Sequence, residues 1–435
     1  MALVKRSPRE GLLSATHNSR SRFRVEGLVQ NALALSVSGA GSAMIGIIFW
    51  GAATHLASAA IVGRMSAEIA AMTLLAQLSQ LSFGSNFERF LPVAGDKTRG
   101  FVARAYVLCV LVALIISVAY VLLGLGHSFF PGPLSWRVLF VGTVILWTIF
   151  SLQDSVLVGL RAARWVAAEN IVYSLAKLAL LPLFVALSAG EGIFVAWMIP
   201  VVVLIVVVNW YIFRSRIPTH VALNSSSEAF PTVREIVALL GSQYATLLVT
   251  VIASSVVTLI VIDRLGPVAS AHYFIPAQIA GGATIILLSI MRSFVVEASS
   301  EPERLPHFAR VTLRTLVVLL LPTVVVGVIF APELLSIFGH NYATRGTDVM
   351  RMLLLSIPAM TVTSFYSSFA LLDKRTWLFA TRQFANEVLF FVVLLILIGH
   401  VGILSIGIAS LVLSGAEAVI FLPLLIRRYR RAVRV

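Results

Sequence analysis

The chain has 435 residues, of which 59% are hydrophobic and only 12% are charged. Its mean hydropathy of +0.97 excludes an ordinary water-soluble globular protein, in which about a quarter of the residues are charged. The net charge of +14 does not indicate a nucleic-acid partner here, because Lys and Arg collect in short segments between long apolar runs, as in the cytoplasmic loops of membrane proteins. The composition therefore predicts a polytopic membrane protein.

Twelve windows are long and apolar enough to cross a bilayer, which requires about 20 residues of helix. The first half contains six predicted spans: 32–54, 67–92, 101–125, 138–160, 165–188 and 192–212. The second half contains six more: 236–262, 268–291, 311–330, 349–372, 377–398 and 401–425. The sequence thus predicts an all-α polytopic membrane protein with twelve transmembrane helices in two six-helix lobes.

The positions of the basic residues predict the orientation of these spans. With both termini in the cytoplasm, most Lys and Arg residues fall in cytoplasmic segments, as the positive-inside rule requires. Arg89 and Lys177 fall inside spans, and the basic residues left on the opposite side are Arg64, Arg137, Arg264, Arg345 and Arg351. The predicted organisation is a basic tail (1–26), a first lobe (27–213), a polar cytoplasmic linker (214–232), a second lobe (233–426) and a basic tail (427–435).

The segments outside the spans lack the patterns of an enzyme. They contain no phosphate-binding glycine loop, no nucleophile elbow and no histidine pair with zinc-ligand spacing. No outer loop is large enough for a folded domain. We therefore expect a protein that is not an enzyme and needs no cofactor, and we expect any active transport to draw on an ion gradient.

Ionisable side chains within the spans are the candidate functional residues. Each costs at least about 2.5 to 3.5 kcal/mol near the bilayer centre unless it has a partner or faces a water-filled cavity. Lys177, Glu387 and Glu417 lie deepest. The other four ionisable residues are Glu88, Arg89, Asp154 and Glu169. Snorkelling or local pairing near the inner surface explains their presence in the spans as well as a functional role does.

The charges differ between the two halves. In the first half, Glu169 and Lys177 can share one broad helix face and form a polar patch with Asp154 and Arg89. The second half has two deep acids and no central cation, its nearest basic residue being Arg292 at the inner end of the eighth span. Acids beside a cavity can bind and release H⁺ or Na⁺. The candidates for this role are Glu88, Asp154, Glu169, Glu387 and Glu417.

Several short motifs, in order and spacing, resemble one family. They are Arg89-Phe90-Leu91-Pro92, Leu152-Gln153-Asp154-Ser155, Gly159-Leu160-Arg161, Glu169-Asn170 and Lys177-Leu178. Over residues 31–426 the chain resembles the bacterial polysaccharide transporter or oligosaccharide flippase family of the multidrug/oligosaccharidyl-lipid/polysaccharide exporter superfamily. The resemblance implies two six-helix lobes around a central cavity, in the bacterial inner membrane.

The resemblance also implies a function: moving a polyprenyl-pyrophosphate-linked oligosaccharide to the outer leaflet by alternating access, for cell-surface polysaccharide synthesis. Arg89 and Lys177 would supply the countercharge that the pyrophosphate needs in a low-dielectric region, and Arg292 is the third candidate for substrate binding. The expected partners are the lipid-linked saccharide, membrane lipids, a coupling ion and glycan-assembly proteins. Two alternatives remain. One is an exporter of cationic drugs with the same fold, and the other is a membrane-embedded glycan polymerase or ligase, which would usually carry a large outer loop.

Overall fold

The computed structural model describes residues 41–126, 134–188, 190–223, 230–373 and 376–434. Helices and short connections make up all of these segments, and no strand occurs in them. The predicted all-α class is confirmed. The basic N-terminal tail, predicted for residues 1–26, lies outside the described residues.

The first lobe consists of eight helical segments, which the structure places in chain order. They are α1 (Gly41–Leu56), α2 (Ala59–Ser79), α3 (Phe83–Phe90), α4 (Thr98–Leu122), α5 (Leu134–Gly159), α6 (Ala163–Leu187), α7 (Gly192–Tyr211) and α8 (Ile217–Leu223). A π-helical turn, Ile212–Arg216, joins α7 to α8 without a break. The first part of the predicted linker is therefore helical.

The second lobe consists of seven helical segments. They are α9 (Val233–Ser300), α10 (Leu305–Thr315), α11 (Leu321–Ile329), α12 (Ala331–Ser336), α13 (His340–Leu372), α14 (Thr376–Val401) and α15 (Leu404–Arg434). A second π-helical turn, Leu316–Leu320, joins α10 and α11 into one span. Helix α15 continues through most of the predicted basic tail.

Helix α9 holds two membrane spans. Its 68 residues are broken at Gly266, whose φ of 82° and ψ of 175° lie in a region open essentially to glycine alone, and Pro267 follows directly. Ten described helices are long and apolar enough to cross a membrane. With α9 counted as two spans and with α1, which is shorter within the described residues, the predicted twelve helices are all present.

The predicted second span, 67–92, is wrong in its limits. Helix α2 begins at Ala59 and ends at Ser79, and a separate α3 follows it. The reason is a backbone reversal: Leu81 and Ser82 have φ values of 50° and 64°, in the left-handed region that ends helices. A hydropathy window does not detect this break, because it averages over about 19 residues and the reversal is a change in backbone conformation at two of them.

The outer surface of the bundle is apolar, as a lipid environment requires. Large hydrophobic side chains such as Leu122, Val206 and Val419 are more than half exposed along the spans. In water such surfaces would drive aggregation, whereas in lipid they carry no penalty. The interior is filled by aliphatic, aromatic and alanine side chains.

The two lobes meet closely through α2 and α9. A Cβ atom added at Gly63 would lie only 1.8 Å from the carbonyl oxygen of Pro267, so the two backbones are in direct contact. The Ser270 hydroxyl donates to the Gly63 carbonyl at 3.5 Å, and at the same end His55 Nε2 lies 2.8 Å from the carbonyl oxygen of Ile337. We call this side of the bundle the Gly63 end.

Candidate functional site

Two carboxylates of the first lobe come together between α5 and α6. Gln153 and Asp154 are adjacent on α5, and Glu169 and Asn170 are adjacent on α6. The Gln153 amide donates to Glu169 Oε1, and Asn170 Nδ2 donates to Asp154 Oδ2 at 3.1 Å. From α7, Asn209 Nδ2 donates to Gln153 Oε1 at 2.6 Å. We call these five residues the amide–carboxylate cluster.

The amide–carboxylate cluster is buried at Gln153 and Glu169, half-buried at its other three residues, and contains no basic residue. Gln153 is fully buried, Glu169 is 4% exposed, and none of the ion pairs among the described residues includes Asp154 or Glu169. One oxygen of each carboxylate, Asp154 Oδ1 and Glu169 Oε2, has no hydrogen-bond partner in the described part of the chain. Such oxygens can take a proton or a small cation, because neutral amides alone compensate poorly for buried negative charge.

Lys177 lies apart from this cluster, inside a ring of aromatic side chains. Its ammonium nitrogen is 3.6 Å from the ring centroid of Trp197, 4.8 Å from that of Tyr173 and 5.3 Å from that of Phe49. The residue is 5% exposed, and no carboxylate of the described chain lies within 4 Å of the ammonium. No ion pair among the described residues therefore joins Lys177 to Glu169 or Asp154, and the predicted polar patch stays a prediction. We call Lys177 with these three rings the lysine cage.

The second lobe contains a cavity of about 850 Å³ between α9, α13, α14 and α15. Arg382, Gln383, Asn386, Glu387 and Phe390 line it from α14, at a spacing that places them on one helix face. Hydroxyl groups line much of the rest: Thr284, Ser356, Thr363, Ser364, Ser367, Ser368, Ser410 and Ser414. Arg292 and Glu417 also face this cavity, so it unites three of the predicted site residues.

One acid of the second lobe forms an ion pair that the sequence did not predict. Arg382 Nη1 donates to both carboxylate oxygens of Glu417, at 2.8 and 2.7 Å, and Glu387 lines the same cavity. The expectation that Arg292 is the basic residue nearest to these acids is wrong. Arg382 falls near a predicted span end, where the positive-inside rule explains a basic residue without any function.

Glu88 and Arg89 are exposed on α3. The guanidinium carbon of Arg89 lies 5.5 Å from the ring centroid of the neighbouring Phe90. No ion pair among the described residues joins Arg89 to Asp154 or Glu169. The role of these two residues in substrate or ion binding stays a prediction.

Sequence reasoning missed several residues of these sites because it searched for charges. Gln153, Asn170 and Asn209 complete the amide–carboxylate cluster, and Trp197 covers Lys177. Uncharged amides within apolar spans are the signal that would have found three of them, since a buried amide also needs partners. Among the described residues, no group of three or more His, Cys, Asp and Glu side chains is placed to hold a metal ion.

Comparison with known proteins shows the fold. No family model and no curated protein matches the sequence. A multidrug resistance MATE family transporter of the MOP superfamily in an inward-facing conformation matches with a TM-score of 0.61 at 16% identity, over 91% of this chain and 95% of that chain. An outward-facing structure of such a transporter matches with a TM-score of 0.58 at 14% identity, over 93% and 96%.

A third solved structure is a MOP superfamily transporter from Pyrococcus furiosus. It matches with a TM-score of 0.58 at 15% identity, over 93% of this chain and 96% of that chain, and it is described as having a binding pocket of reversed polarity that suggests a different function. Over nearly its whole length, the chain therefore has the two-lobed fold of MATE transporters. Identities of this size show the fold and leave the substrate open.

Proposed function

We propose that this protein is a flippase that moves a lipid-linked oligosaccharide of the polyprenyl-pyrophosphate type across the bacterial inner membrane by alternating access, for cell-surface polysaccharide synthesis. The fold supports transport, because the solved structures that share it are transporters in inward-facing and outward-facing conformations. The proposed topology has both termini in the cytoplasm. Glycan-assembly proteins are the expected partners.

The lysine cage is the observation that carries the proposal. A buried ammonium costs several kcal/mol in lost hydration. Its cation–π contacts with Trp197, Tyr173 and Phe49 offset part of this cost, by about 2 kcal/mol or more for a desolvated pair. Since the described chain places no carboxylate beside Lys177, the charge remains available to an anion. A pyrophosphate group is such an anion, and it needs this kind of countercharge within a bilayer.

The cavity of the second lobe supports the saccharide part of the proposal. Its hydroxyl and amide groups match the hydroxyl groups of a glycan, and Arg292 adds a positive charge at the cavity wall. The Pyrococcus furiosus protein, described as having a pocket of reversed polarity, shares the fold. Recognition of an anionic, hydroxyl-rich substrate is therefore compatible with this architecture.

A transport assay in proteoliposomes tests the proposal. We expect Lys177→Ala to reduce translocation of a polyprenyl-pyrophosphate-linked oligosaccharide to the background of empty liposomes, while Lys177→Arg retains part of it. Arg310→Ala, which removes an exposed cation on α10, is the matched control and keeps wild-type rates. Full activity of a correctly inserted Lys177→Ala protein would contradict the proposal.

A second candidate function is export of cationic drugs. The buried acids Asp154 and Glu169 favour it, because they have amide partners and no basic partner among the described residues. In that case Lys177→Ala would keep its activity, and replacement of both acids by their amides would abolish it. Measuring the transport of a cationic dye and of the lipid-linked oligosaccharide by the same variants distinguishes the two functions.

A further inference from the structure

Two of the rings that surround Lys177 carry polar groups that have no acceptor. Trp197 Nε1 and Tyr173 Oη are buried atoms without a hydrogen-bond partner in the part of the chain that the structure describes. Buried polar groups are paired in the great majority of cases, so each exception needs an explanation. The cation–π contacts with Lys177 use the faces of the two rings and leave the N–H and O–H groups unpaired.

Two neighbouring helices bring these groups and the ammonium of Lys177 together. Tyr173 and Lys177 are four residues apart on α6 and share one face of that helix. Trp197 reaches them from α7, and its ring centroid lies 6.2 Å from that of Tyr173. Since the ammonium lies against both rings, the N–H and O–H groups at their edges are within the span of one small polyatomic ligand.

The chemistry of these three groups favours an anion over a water molecule. The ammonium and the indole N–H can only donate, and the phenol adds a third donor beside the positive charge. A buried water needs acceptors for its own two hydrogens, and no carboxylate of the described chain lies within 4 Å of the ammonium. An anion with several oxygens, such as a pyrophosphate group, can accept from all three donors, and hydrogen bonds to an ionised group are stronger than neutral ones.

A contact between aromatic rings links the lysine cage to the second lobe. Trp50 of α1 packs against Phe49 and Trp197 of the cage, with ring centroids 5.5 and 6.0 Å apart. Trp50 also meets Phe274 of α9, in the second lobe, at 4.7 Å between centroids. Movement of α9 away from α1 during alternating access would remove this contact and give the cage rings room to admit an anion.

We propose that Tyr173 and Trp197 bind the pyrophosphate group of the substrate directly, each donating one hydrogen bond to the phosphate oxygens that Lys177 attracts. The inference rests on the flippase function proposed above and assigns two specificity-determining residues to it. Lys177 attracts any anion, and the two neutral donors add hydrogen bonds that an oxygen-rich group can accept together with those of the ammonium. Without these donors the site keeps its charge and loses part of its affinity.

Binding to the purified protein tests the donors separately from the rings. Tyr173→Phe removes the O–H and Trp197→Phe removes the N–H, while both keep an aromatic ring beside the ammonium. The probe is polyprenyl pyrophosphate without a glycan, titrated in detergent by calorimetry. We expect each variant to bind it about 10- to 100-fold more weakly than the wild type. Wild-type affinity in both variants would overturn the proposal, and so would a wild-type protein that does not bind the probe.

Two matched substitutions distinguish the loss of a donor from a disturbance of the packing. Trp147→Phe makes the same change at a ring that contacts Tyr173 and Trp197 but is not part of the lysine cage. Tyr120→Phe removes a phenol O–H elsewhere in the first lobe, where Tyr120 packs against Phe140. We expect both variants to bind the probe with wild-type affinity. Losses as large as those of the cage variants would overturn the proposal.

Inorganic pyrophosphate is the second probe, and it distinguishes a lipid-linked pyrophosphate from a free one. We expect it to bind more weakly than the lipid, because it lacks the apolar chain, and to show the same dependence on the two donors. Binding of inorganic pyrophosphate by a protein that does not bind the lipid would assign the site to a soluble ligand and overturn the proposal.

Nuclear magnetic resonance detects the indole hydrogen bond directly and applies even if Trp197→Phe does not fold. The chain has seven tryptophans, and the Trp197 N–H signal is the one that persists in single Trp→Phe variants of the other six. We expect saturating polyprenyl pyrophosphate to move this signal downfield. A Trp197 signal that does not move at saturation would overturn the proposal.

Transport distinguishes failure of this inference from failure of the proposed function. Wild-type transport of the lipid-linked oligosaccharide by Tyr173→Phe and Trp197→Phe, with Lys177→Ala inactive, would overturn the role of the two donors and leave the flippase function standing. Donor-dependent binding by a protein that does not transport the lipid-linked oligosaccharide would support the pyrophosphate site and overturn the flippase function.

Discussion

At each buried charge in this protein, one or a few neighbouring side chains determine whether the charge is free to bind a substrate or an ion. Asp154 and Glu169 are held by amides, Glu417 is held by Arg382, and Lys177 is surrounded by rings. The same residue type therefore differs from position to position in how easily it is ionised, because its partner determines the free energy of the charged form. Each partner can be removed by substitution, and the consequences differ from site to site.

Gln153 is the central residue of the amide–carboxylate cluster, since it contacts both Glu169 and Asn209. We expect Gln153→Leu to destabilise the protein by about 2 kcal/mol, because it removes the hydrogen-bond donor of the buried Glu169 carboxylate and one of the two acceptors of the Asn209 amide. The measurement is the thermal unfolding temperature in detergent. Gln77→Leu, at a half-buried position of α2, serves as the control and should change it little. Equal effects of the two substitutions would contradict this role of Gln153.

The Arg382–Glu417 ion pair predicts a non-additive pair of substitutions. Both side chains are less than one-fifth exposed. Arg382→Leu alone leaves Glu417 unpaired in a cavity that also contains Glu387, and we expect a loss of about 2 kcal/mol after allowing for partial solvent screening. The double variant Arg382→Leu/Glu417→Leu should recover most of this loss. A double-mutant cycle on unfolding temperature checks it, and simple additivity would show that the pair is not coupled.

At the scale of the elements, breaks within helices position the sites. The left-handed residues Leu81 and Ser82 separate α2 from α3, and Gly266 divides α9 into two spans. Because α2 begins at Ala59 and ends at Ser79, Glu68 lies well inside it and Arg89 lies on α3. Hydropathy patterns are insensitive to such breaks, and for this reason the helix count was predicted more accurately than the helix limits.

The close contact between α2 and α9 gives a prediction for Gly63. An alanine there places its Cβ against the Pro267 carbonyl, and relief requires the two helices to move apart. We expect Gly63→Ala to destabilise the protein by about 1 to 3 kcal/mol, the usual cost of overpacking. Thermal unfolding in detergent measures it.

Gly142 on α5 provides the control for this substitution. An added Cβ at Gly142 meets no atom within 4 Å. Gly142→Ala should therefore be neutral or stabilising by up to about 1 kcal/mol, because alanine is the better helix former. If Gly63→Ala behaved in the same way, the backbone contact between the lobes would not restrict residue 63.

At the scale of the whole molecule, the fold is a pair of helical lobes, and the distribution of basic residues predicts how they lie in the membrane. Ser300, at the end of α9, and Ser336, at the end of α12, are exposed and are separated by one membrane span. The predicted orientation places Ser300 in the cytoplasm and Ser336 outside.

Labelling of single cysteines in intact cells tests that orientation. In a Cys109→Ala background, we expect a membrane-impermeant maleimide to react with Ser336→Cys and to leave Ser300→Cys unlabelled until the cells are opened. The reverse pattern would invert the predicted topology. Labelling of both positions in intact cells would show that the two residues are not on opposite sides.

The sequence by itself determined the class of protein and its twelve helices, because membrane insertion depends on local apolar length and on nearby basic residues, and both are properties of short segments. It also located most of the buried charges. Only the tertiary structure decided their partners: amides for Asp154 and Glu169, aromatic rings for Lys177, and Arg382 for Glu417. The cost of a buried charge depends on groups brought close from distant parts of the chain, and no local pattern records which groups those are.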